Sequence, residues 1–158
     1  MIGNAKWYLG GSDAYNDVTA PLFYTSERGI GIYIYSRRST SWTGKVGLMY
    51  PSDYGYATSG GATTNRASCL AKELTKWDDS SVSDCKNNDW MYNSSIWQWT
   101  ITPYREKACS VFGVGNAGGE VDDSDAGFSG NVQPVVHLNS AIKVITGSGT
   151  KESPYVLE

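Results

Sequence analysis

The chain is poor in charge: only 18% of its 158 residues are Asp, Glu, Lys or Arg, whereas about 25% is usual in a soluble domain. Its 13 Lys and Arg are scattered, which excludes a basic stripe for nucleic acid. It also lacks an apolar run of the roughly 20 residues that a membrane helix needs. The stretch 1–6 has no apolar core of a signal peptide. We therefore expect contact with a membrane only through a segment that precedes this one.

Residues that carry out catalysis or bind metals are equally scarce. His137 is the single histidine, and it follows two valines in a predicted strand with no Gly-x-Ser-x-Gly elbow elsewhere. This context favours a structural or surface role over membership of a catalytic triad. The acidic run 122–125 lacks the glycine and the terminal Glu of an EF-hand loop. We expect no enzymatic activity, no bound metal and no cofactor, and we interpret the acidic runs as solvated loops.

The three cysteines are too far apart in sequence to form the paired ligands of a zinc site. A disulfide between Cys69 and Cys85 would close a loop of about 17 residues and add roughly 3 kcal/mol of stability. We predict this pairing, with three reduced and buried thiols as the alternative. Cys109 is then left over, and we expect it to be buried in a strand.

Aromatic residues and glycine are what the chain has in quantity. Phe, Trp and Tyr make up 13% of it, and there are 18 glycines. Such a composition is typical of extracellular proteins and recognition surfaces, because Tyr and Trp provide contact area at little entropic cost. The length suits one domain with a real core, and we predict a single domain over residues 1–158.

Hydrophobic periodicity predicts many short strands and few helices. Helices are predicted at 20–28, with Pro21 in the first turn, and at 65–77, capped by Thr64 or Asn65. A strand is predicted to begin at Ala5 and to stop at a Gly-Gly turn at 10–11. Further strands are predicted at 29–35, 46–50, 96–101, 108–114 and 131–138, with a polar, exposed stretch at 37–41 and a hairpin near the C-terminus. This order of elements predicts an α+β domain with mostly antiparallel strands.

Three local predictions concern the surroundings of these strands. Pro51-Ser52-Asp53 is predicted to be a turn that ends the strand 46–50. In the strand 96–101, Trp97 and Trp99 share one face, which we predict to be the core face. The stretch 122–130 is predicted to be an acidic loop after a hairpin turn at 115–119.

Three segments resemble, in their order, cell-surface proteins of Gram-positive gut bacteria that often carry a pilin-like N-terminal segment. The segments are 42–57, 97–103 and 132–138, the last followed by Gly147-Ser-Gly-Thr and Pro154-Tyr155. The tryptophan-rich strand, the strand–Gly–strand hairpin and the late Pro-Val-Val-x-Leu strand also resemble the C-type-lectin-like fold. That fold includes the formylglycine-generating enzymes and the variable proteins of diversity-generating retroelements. The resemblance implies a C-type-lectin-like domain, extracellular and displayed on the cell surface or a pilus.

The chain departs from the catalytic and calcium-binding members of that fold. Formylglycine-generating activity needs two cysteines close together in sequence, and the spacings here are 16 and 24 residues. Calcium-dependent lectins carry Glu-Pro-Asn or Gln-Pro-Asp where this chain has Gln133-Pro134-Val135. Gln133 also stands where an arginine is usual. The resemblance therefore implies a module that neither catalyses nor binds sugar through calcium.

These observations predict a non-catalytic binding module whose ligand is a protein or a glycan, held by the loops between about 88 and 132. The ligand-binding candidates are aromatic, amide and acidic residues in or beside turns: Tyr92, Asn93, Tyr104, Asp122 and Asp123. Two alternatives stay open. One is a structural pilin-like subunit that assembles with copies of itself, and the other is a secreted or inactive enzyme relative of the formylglycine-generating group.

Overall fold

The computed structural model describes residues 2–9, 18–28, 41–148 and 153–158. The strand predicted at 29–35 lies outside the described residues. So do the Gly-Gly turn that was expected to end the first strand and the polar stretch that includes Arg37 and Arg38.

Within the described residues the fold is α+β, as predicted, with short strands that pair mostly in antiparallel fashion. The helices are α1 (Ala20–Glu27), α2 (Pro51–Ala57), α3 (Arg66–Ala71) and α4 (Ser83–Asn87), with single 3₁₀ turns at Leu74–Lys76 and Ser80–Val82. The strands are β1 (Ala5–Tyr8), β2 (Ser41–Gly44), β3 (Val46–Leu48), β4 (Gln98–Pro103), β5 (Ser110–Val114), β6 (Val121–Asp125), β7 (Asn131–Val132), β8 (Pro134–Val136), β9 (Val144–Thr146) and β10 (Val156–Leu157).

The largest sheet has four strands in the order β6-β5-β4-β7, with only β4 and β7 parallel. The other strands form the antiparallel pairs β1–β2, β3–β8 and β9–β10. The Ile101 N–H donates to the Met49 carbonyl at 2.9 Å, which ties the end of β3 to β4. The predicted C-terminal hairpin is confirmed as the β9–β10 pair.

Helix α1 begins at Ala20 with Pro21 in its first turn, as predicted, since this position does not require an amide N–H. Helix α2 corrects the prediction of a turn at 51–53. Pro51 opens the helix there, and the Asp53 carboxylate accepts the Tyr50 N–H at 2.9 Å, satisfying an amide just before the first turn.

Helix α3 is shorter than the predicted helix 65–77. The Asn65 side chain caps it by accepting the Ser68 N–H at 2.9 Å, as expected. Lys72 then adopts an extended backbone with ψ near 145°, which ends the helix at Ala71. Leu74 and Trp77 still reach the core, but from a separate 3₁₀ turn.

The face of β4 that packs against the core is the opposite of the predicted one. Gln98, Thr100 and Thr102 are buried, whereas Trp97 and Trp99 are only half-buried on the other face. The two indole rings meet edge to face with centroids 5.6 Å apart. They lie against Gly113 and Gly130, where a Cβ would come within 2.4 and 2.5 Å of ring atoms.

Two further predictions at the sheet are wrong. Residues 122–125 belong to strand β6 and not to a loop, because their backbone pairs with β5, from Gly113 opposite Asp122 to Ser110 opposite Asp125. A polar edge strand is compatible with this sequence, since an edge strand has one face and one side open to water. Cys109 is exposed just before β5, and not buried in it.

The core lies between the helices and the buried face of the large sheet. It is built from α1, α2, β5, β6 and the segment that carries the disulfide, with these buried residues at its centre: Phe23, Met49, Tyr54, Leu74, Trp77, Phe112, Val114 and Val121. Cys69 and Cys85 are joined with their Cα atoms 5.5 Å apart. The predicted pairing is confirmed, and it links α3 to α4.

Candidate functional site

An open cleft of about 360 Å³ lies beside helix α2, lined by aromatic and apolar side chains and one carboxylate: Asp53, Tyr56, Ala57, Trp90, Met91 and Val135. We call it the aromatic cleft. Trp90 is 77% exposed, and Tyr56 is 37% exposed. Large exposed aromatic surface in one place is uncommon and often marks a binding site, because it gives up a favourable burial energy.

Trp90 is exposed because both of its neighbours are held inside. The buried Asp89 carboxylate accepts the Met91 N–H at 2.8 Å, and Asp89 forms an isolated bridge with Thr58. The Met91 carbonyl accepts hydrogen bonds from the side-chain amides of Gln98, at 3.1 Å, and Gln133, at 2.9 Å. A residue between two such anchors has its side chain directed outward.

Tyr56 is placed by the C-terminal end of α2. The Arg66 guanidinium donates to the carbonyls of Tyr56 and Thr58, at 3.0 Å each, and so satisfies acceptors that the helix leaves open. At the other end of the helix, the Asp53 carboxylate is held by the Tyr50 amide. The aromatic ring and the carboxylate of this cleft are therefore presented by one short, fixed helix.

A second cleft, of about 350 Å³, is lined by two cations, two tyrosines and a histidine: Lys6, Arg28, Tyr8, Tyr50 and His137. We call it the cationic cleft. The Tyr50 hydroxyl accepts the Tyr8 N–H at 2.8 Å and donates to the Tyr8 carbonyl at 3.1 Å. Burial raises the pKa of Tyr50 to about 12, so this hydroxyl stays neutral. His137 packs edge to face on Trp7, with centroids 4.9 Å apart.

Arg28 is the most constrained cation of this cleft. Its guanidinium lies 3.9 Å from the centre of the Tyr24 ring and 5.2 Å from that of Tyr50. Its Nη1 is 3.6 Å from the Glu27 carboxylate. That atom is buried and has no hydrogen-bond partner among the described residues.

Glu27 does not neutralise Arg28 at neutral pH. Its carboxyl group is 1% exposed and bonded to the backbone N–H and hydroxyl of Ser52, which is also buried. Burial raises the pKa of Glu27 to about 8, outweighing the opposite effects of the Ser52 hydrogen bonds and of Arg28. The carboxyl group is therefore mostly protonated at pH 7, and Arg28 keeps its positive charge.

Side chains in contact with one another link the two clefts. The Tyr56 ring meets Tyr24 edge to face at 6.2 Å, and Tyr24 is in turn covered by Arg28. The same guanidinium also lies over Tyr50 in the cationic cleft. A row of contacting side chains thus runs from Tyr56 in the aromatic cleft to Arg28 in the cationic cleft.

The predicted ligand-binding residues lie elsewhere, near the β5–β6 hairpin. Tyr92 is half-buried, and its hydroxyl donates to the Asn116 carbonyl at 2.7 Å. The Asn93 amide donates to Gln98, and its side chain caps the Ser95 N–H. Both residues therefore hold the turn that follows Trp90, and a direct role in ligand binding stays a prediction.

The remaining predicted residues are on the strands. Tyr104 is only 7% exposed and packs on Phe112 with centroids 5.4 Å apart, so its prediction as a surface residue is wrong. The Asp123 carboxylate, on the edge strand β6, forms an ion pair with the Lys107 ammonium group at 3.2 Å. The Asp122 carboxylate accepts the Asp123 N–H. A ligand contact by these two aspartates also stays a prediction.

The other acidic side chains mostly satisfy backbone amides. Asp79 accepts the Ser81 N–H, and Asp84 accepts the N–H groups of Thr63 and Thr64. The hydrogen bond from the Ser81 N–H lowers the pKa of Asp79, and the hydrogen bonds from the Thr63 hydroxyl and from the two backbone N–H groups lower that of Asp84. Among the described residues, no group of three or more His, Cys, Asp or Glu is arranged to hold a metal ion.

The residues that form the two clefts were mostly not found from the sequence. Lys6, Arg28 and His137 come from three distant parts of the chain. The hydrogen bond from the Gly3 N–H to the His137 carbonyl and the bridge between Ile2 and Leu138 bring His137 beside β1. Trp90 carried a usable signal, since it is a tryptophan between a turn and an apolar residue. Tyr50 and Asp53 were noted, but as parts of a strand and a turn.

Comparison of this chain with models of protein families, with curated proteins and with solved structures finds no match. In the part of the chain that the structure describes, none of the helices has the length and apolar character needed to cross a membrane. The disulfide is compatible with an oxidising, extracellular environment.

Proposed function

We propose that this chain is a non-catalytic extracellular binding module that holds an oligosaccharide in the aromatic cleft. The exposure of Trp90 beside Tyr56 is the observation that carries the proposal. Flat aromatic rings stack on the C–H faces of sugar rings, and a carboxylate such as Asp53 accepts hydrogen bonds from sugar hydroxyls. A cleft with both features suits a glycan better than a wholly apolar peptide.

A location at the cell surface fits the composition and the disulfide. The chain is low in charge and rich in Tyr, Trp and Gly, and a disulfide persists where the environment is oxidising. We also propose that the α+β fold is of the C-type-lectin-like kind, on the strength of the three sequence segments that resemble it. A protein ligand and assembly with copies of itself in a pilus are the alternatives that the experiment below distinguishes.

The position of a serine and a neighbouring carboxyl group supports the proposal that the chain is non-catalytic. Ser52 and Glu27 have the residue types of a nucleophile and its base, and their side chains are hydrogen-bonded. Both are buried, at 0% and 1% exposure, so a substrate has no access to them. Their pairing holds α1 against α2.

A glycan array tests the proposal, with the parent chain compared with Trp90→Ala and Trp42→Ala. Trp42 is also exposed, at 48%, but it lies on β2 and lines neither cleft. We expect Trp90→Ala to weaken glycan binding about tenfold, because a stacking contact of about 1.4 kcal/mol is lost. Trp42→Ala should bind like the parent.

Two outcomes would contradict the proposal. If the parent binds no glycan, a protein ligand or a structural subunit remains, and size-exclusion chromatography over a concentration range separates these two. If glycans bind but Trp90→Ala binds equally well, the aromatic cleft is not the site, and the hairpin region around Tyr92 becomes the next candidate. Thermal unfolding of each variant shows whether the fold is retained.

A further inference from the structure

Two cations, a histidine and two tyrosines converge on the cationic cleft from parts of the chain that are distant in sequence. Lys6 is on β1, Arg28 follows α1, and His137 follows β8. Tyr8 and Tyr50 complete the lining, and their mutual hydrogen bonds fix the cleft between β1 and the start of α2. Positive side chains collected in one concave place attract an anionic group.

Arg28 is prepared to bind such a group. Its guanidinium is held in place between the rings of Tyr24 and Tyr50, so little side-chain entropy is lost when it binds a ligand. Its neighbour Glu27 is mostly protonated at neutral pH and leaves the positive charge available to a ligand.

The two clefts differ in the sign of the charged side chains that line them. Asp53 lies at the aromatic cleft and disfavours an anion there, whereas Lys6 and Arg28 favour one at the other end. Tyr24, which contacts both Tyr56 and Arg28, joins the two ends. A sugar ring on the aromatic end can therefore extend an acidic neighbour toward Arg28.

We propose that the cationic cleft is a subsite for the anionic group of an acidic oligosaccharide whose neutral part lies in the aromatic cleft. This inference rests on the proposed function and narrows its ligand to one chemical class. The anionic group is a carboxylate, as in uronic or sialic acids, or a sulfate ester. Both are oxyanions that a guanidinium binds with paired N–H donors.

The test compares glycans that differ only in their acidic group. Neutral, uronate-containing, sialylated and sulfated oligosaccharides of otherwise matched sequence are measured against the parent, Arg28→Gln and Lys6→Gln. The control variant is Lys76→Gln, which removes an exposed cation that lines neither cleft. Whether carboxylated or sulfated glycans are preferred identifies the source of the anion.

We expect the parent to bind acidic glycans about tenfold or more tightly than their neutral counterparts, with a preference that falls as salt is added. Arg28→Gln and Lys6→Gln should each lose most of this preference while binding of neutral glycans is unchanged. Lys76→Gln should behave like the parent. Lys6 is on the exposed side of β1, so its variant tests the inference even if Arg28→Gln does not fold.

The two proposals fail in different ways. Equal binding of neutral and acidic glycans, or a preference that survives both cleft variants, overturns this inference and leaves the proposed function intact. If acidic glycans bind equally well to Trp90→Ala, the neutral part of the glycan does not lie in the aromatic cleft. That result contradicts the proposed function. Absence of binding to every glycan contradicts the proposed function and this inference together.

Discussion

Single residues in this protein have roles that depend on their degree of burial more than on their type. Glu27 and Asp89 are acids inside the protein, while Trp90, a large aromatic residue, is outside. Burial raises the pKa of both Glu27 and Asp89 to about 8. The exposed tryptophan and the neutral glutamic acid both bear on the proposed binding, since the first offers a stacking face and the second leaves Arg28 charged.

Stability should depend on pH in a direction set by these two buried acids. Between about pH 4.5 and pH 8 the folded chain keeps protons that the unfolded chain releases, so stability falls as the pH rises through this range. Each group contributes at most about 1.4 kcal/mol per pH unit. Arg28 and Asp53 face Glu27 with opposite effects, and desolvation is the larger cause.

Glu27→Gln tests this directly. The amide keeps an acceptor for the Ser52 N–H but has no proton to lose, so the variant should show a shallower fall in stability from about pH 5 to pH 8 than the parent. Urea unfolding across this range is the measurement, with Asp89→Asn as the matched variant at the second site. A parent whose stability is constant or rises over this range would contradict the prediction.

At the scale of elements, the alternation of side chains along β4 was predictable from the sequence, but which set of side chains faces the core was not. Alternation correctly groups Trp97 with Trp99 and Gln98 with Thr100. Hydrophobicity then favours the tryptophans as the inner set, yet Gln98 is fully buried. Its side chain is hydrogen-bonded to the Met91 carbonyl and the Asn93 amide, and Thr100 donates to the Phe112 carbonyl. These partners come from outside the strand, so no local pattern reveals them.

Gln98→Leu should therefore destabilise the protein although it makes the core more apolar. The change leaves the Asn93 amide without its acceptor, at a cost of about 1–3 kcal/mol in the free energy of unfolding. Gln133→Leu is the matched control, with a smaller expected loss because Gln98 still bonds the shared Met91 carbonyl. Urea unfolding measures both, and equal stabilities of the two variants would count against this account of Gln98.

Helix α2 shows a second limit of local prediction. Pro51-Ser52-Asp53 is typical of turns, and the same residues are also a good first turn of a helix. What decides between them is the Ser52 side chain and amide, which are bonded to Glu27 on α1. The tertiary contact stabilises a helix that is only seven residues long, well below the length at which isolated helices persist.

For the whole molecule, the disulfide links the helical segments that cover one side of the core. Cys69 and Cys85 are 16 residues apart and both fully buried. The loop that they close carries the 3₁₀ turns with Leu74 and Trp77 of the core. Restricting this loop in the unfolded chain is the main expected source of stabilisation.

Replacing both cysteines by alanine should lower the free energy of unfolding by about 3 kcal/mol. Cys109→Ala is the control and should have little effect, because Cys109 is exposed. Urea unfolding with and without reductant gives the difference, and mass spectrometry under non-reducing conditions identifies the bonded pair. Three free thiols, or a double variant as stable as the parent, would rule out this role.

The sequence alone determined the α+β class, the Cys69–Cys85 pairing and most of the strands, because these follow from periodicity, turn chemistry and cysteine spacing. Only the tertiary structure decided which face of β4 is buried, that Pro51 opens a helix, and that Lys6, Arg28 and His137 share a cleft. The reason is physical: such features arise from contacts between residues far apart in the chain, and a local pattern carries no record of those partners.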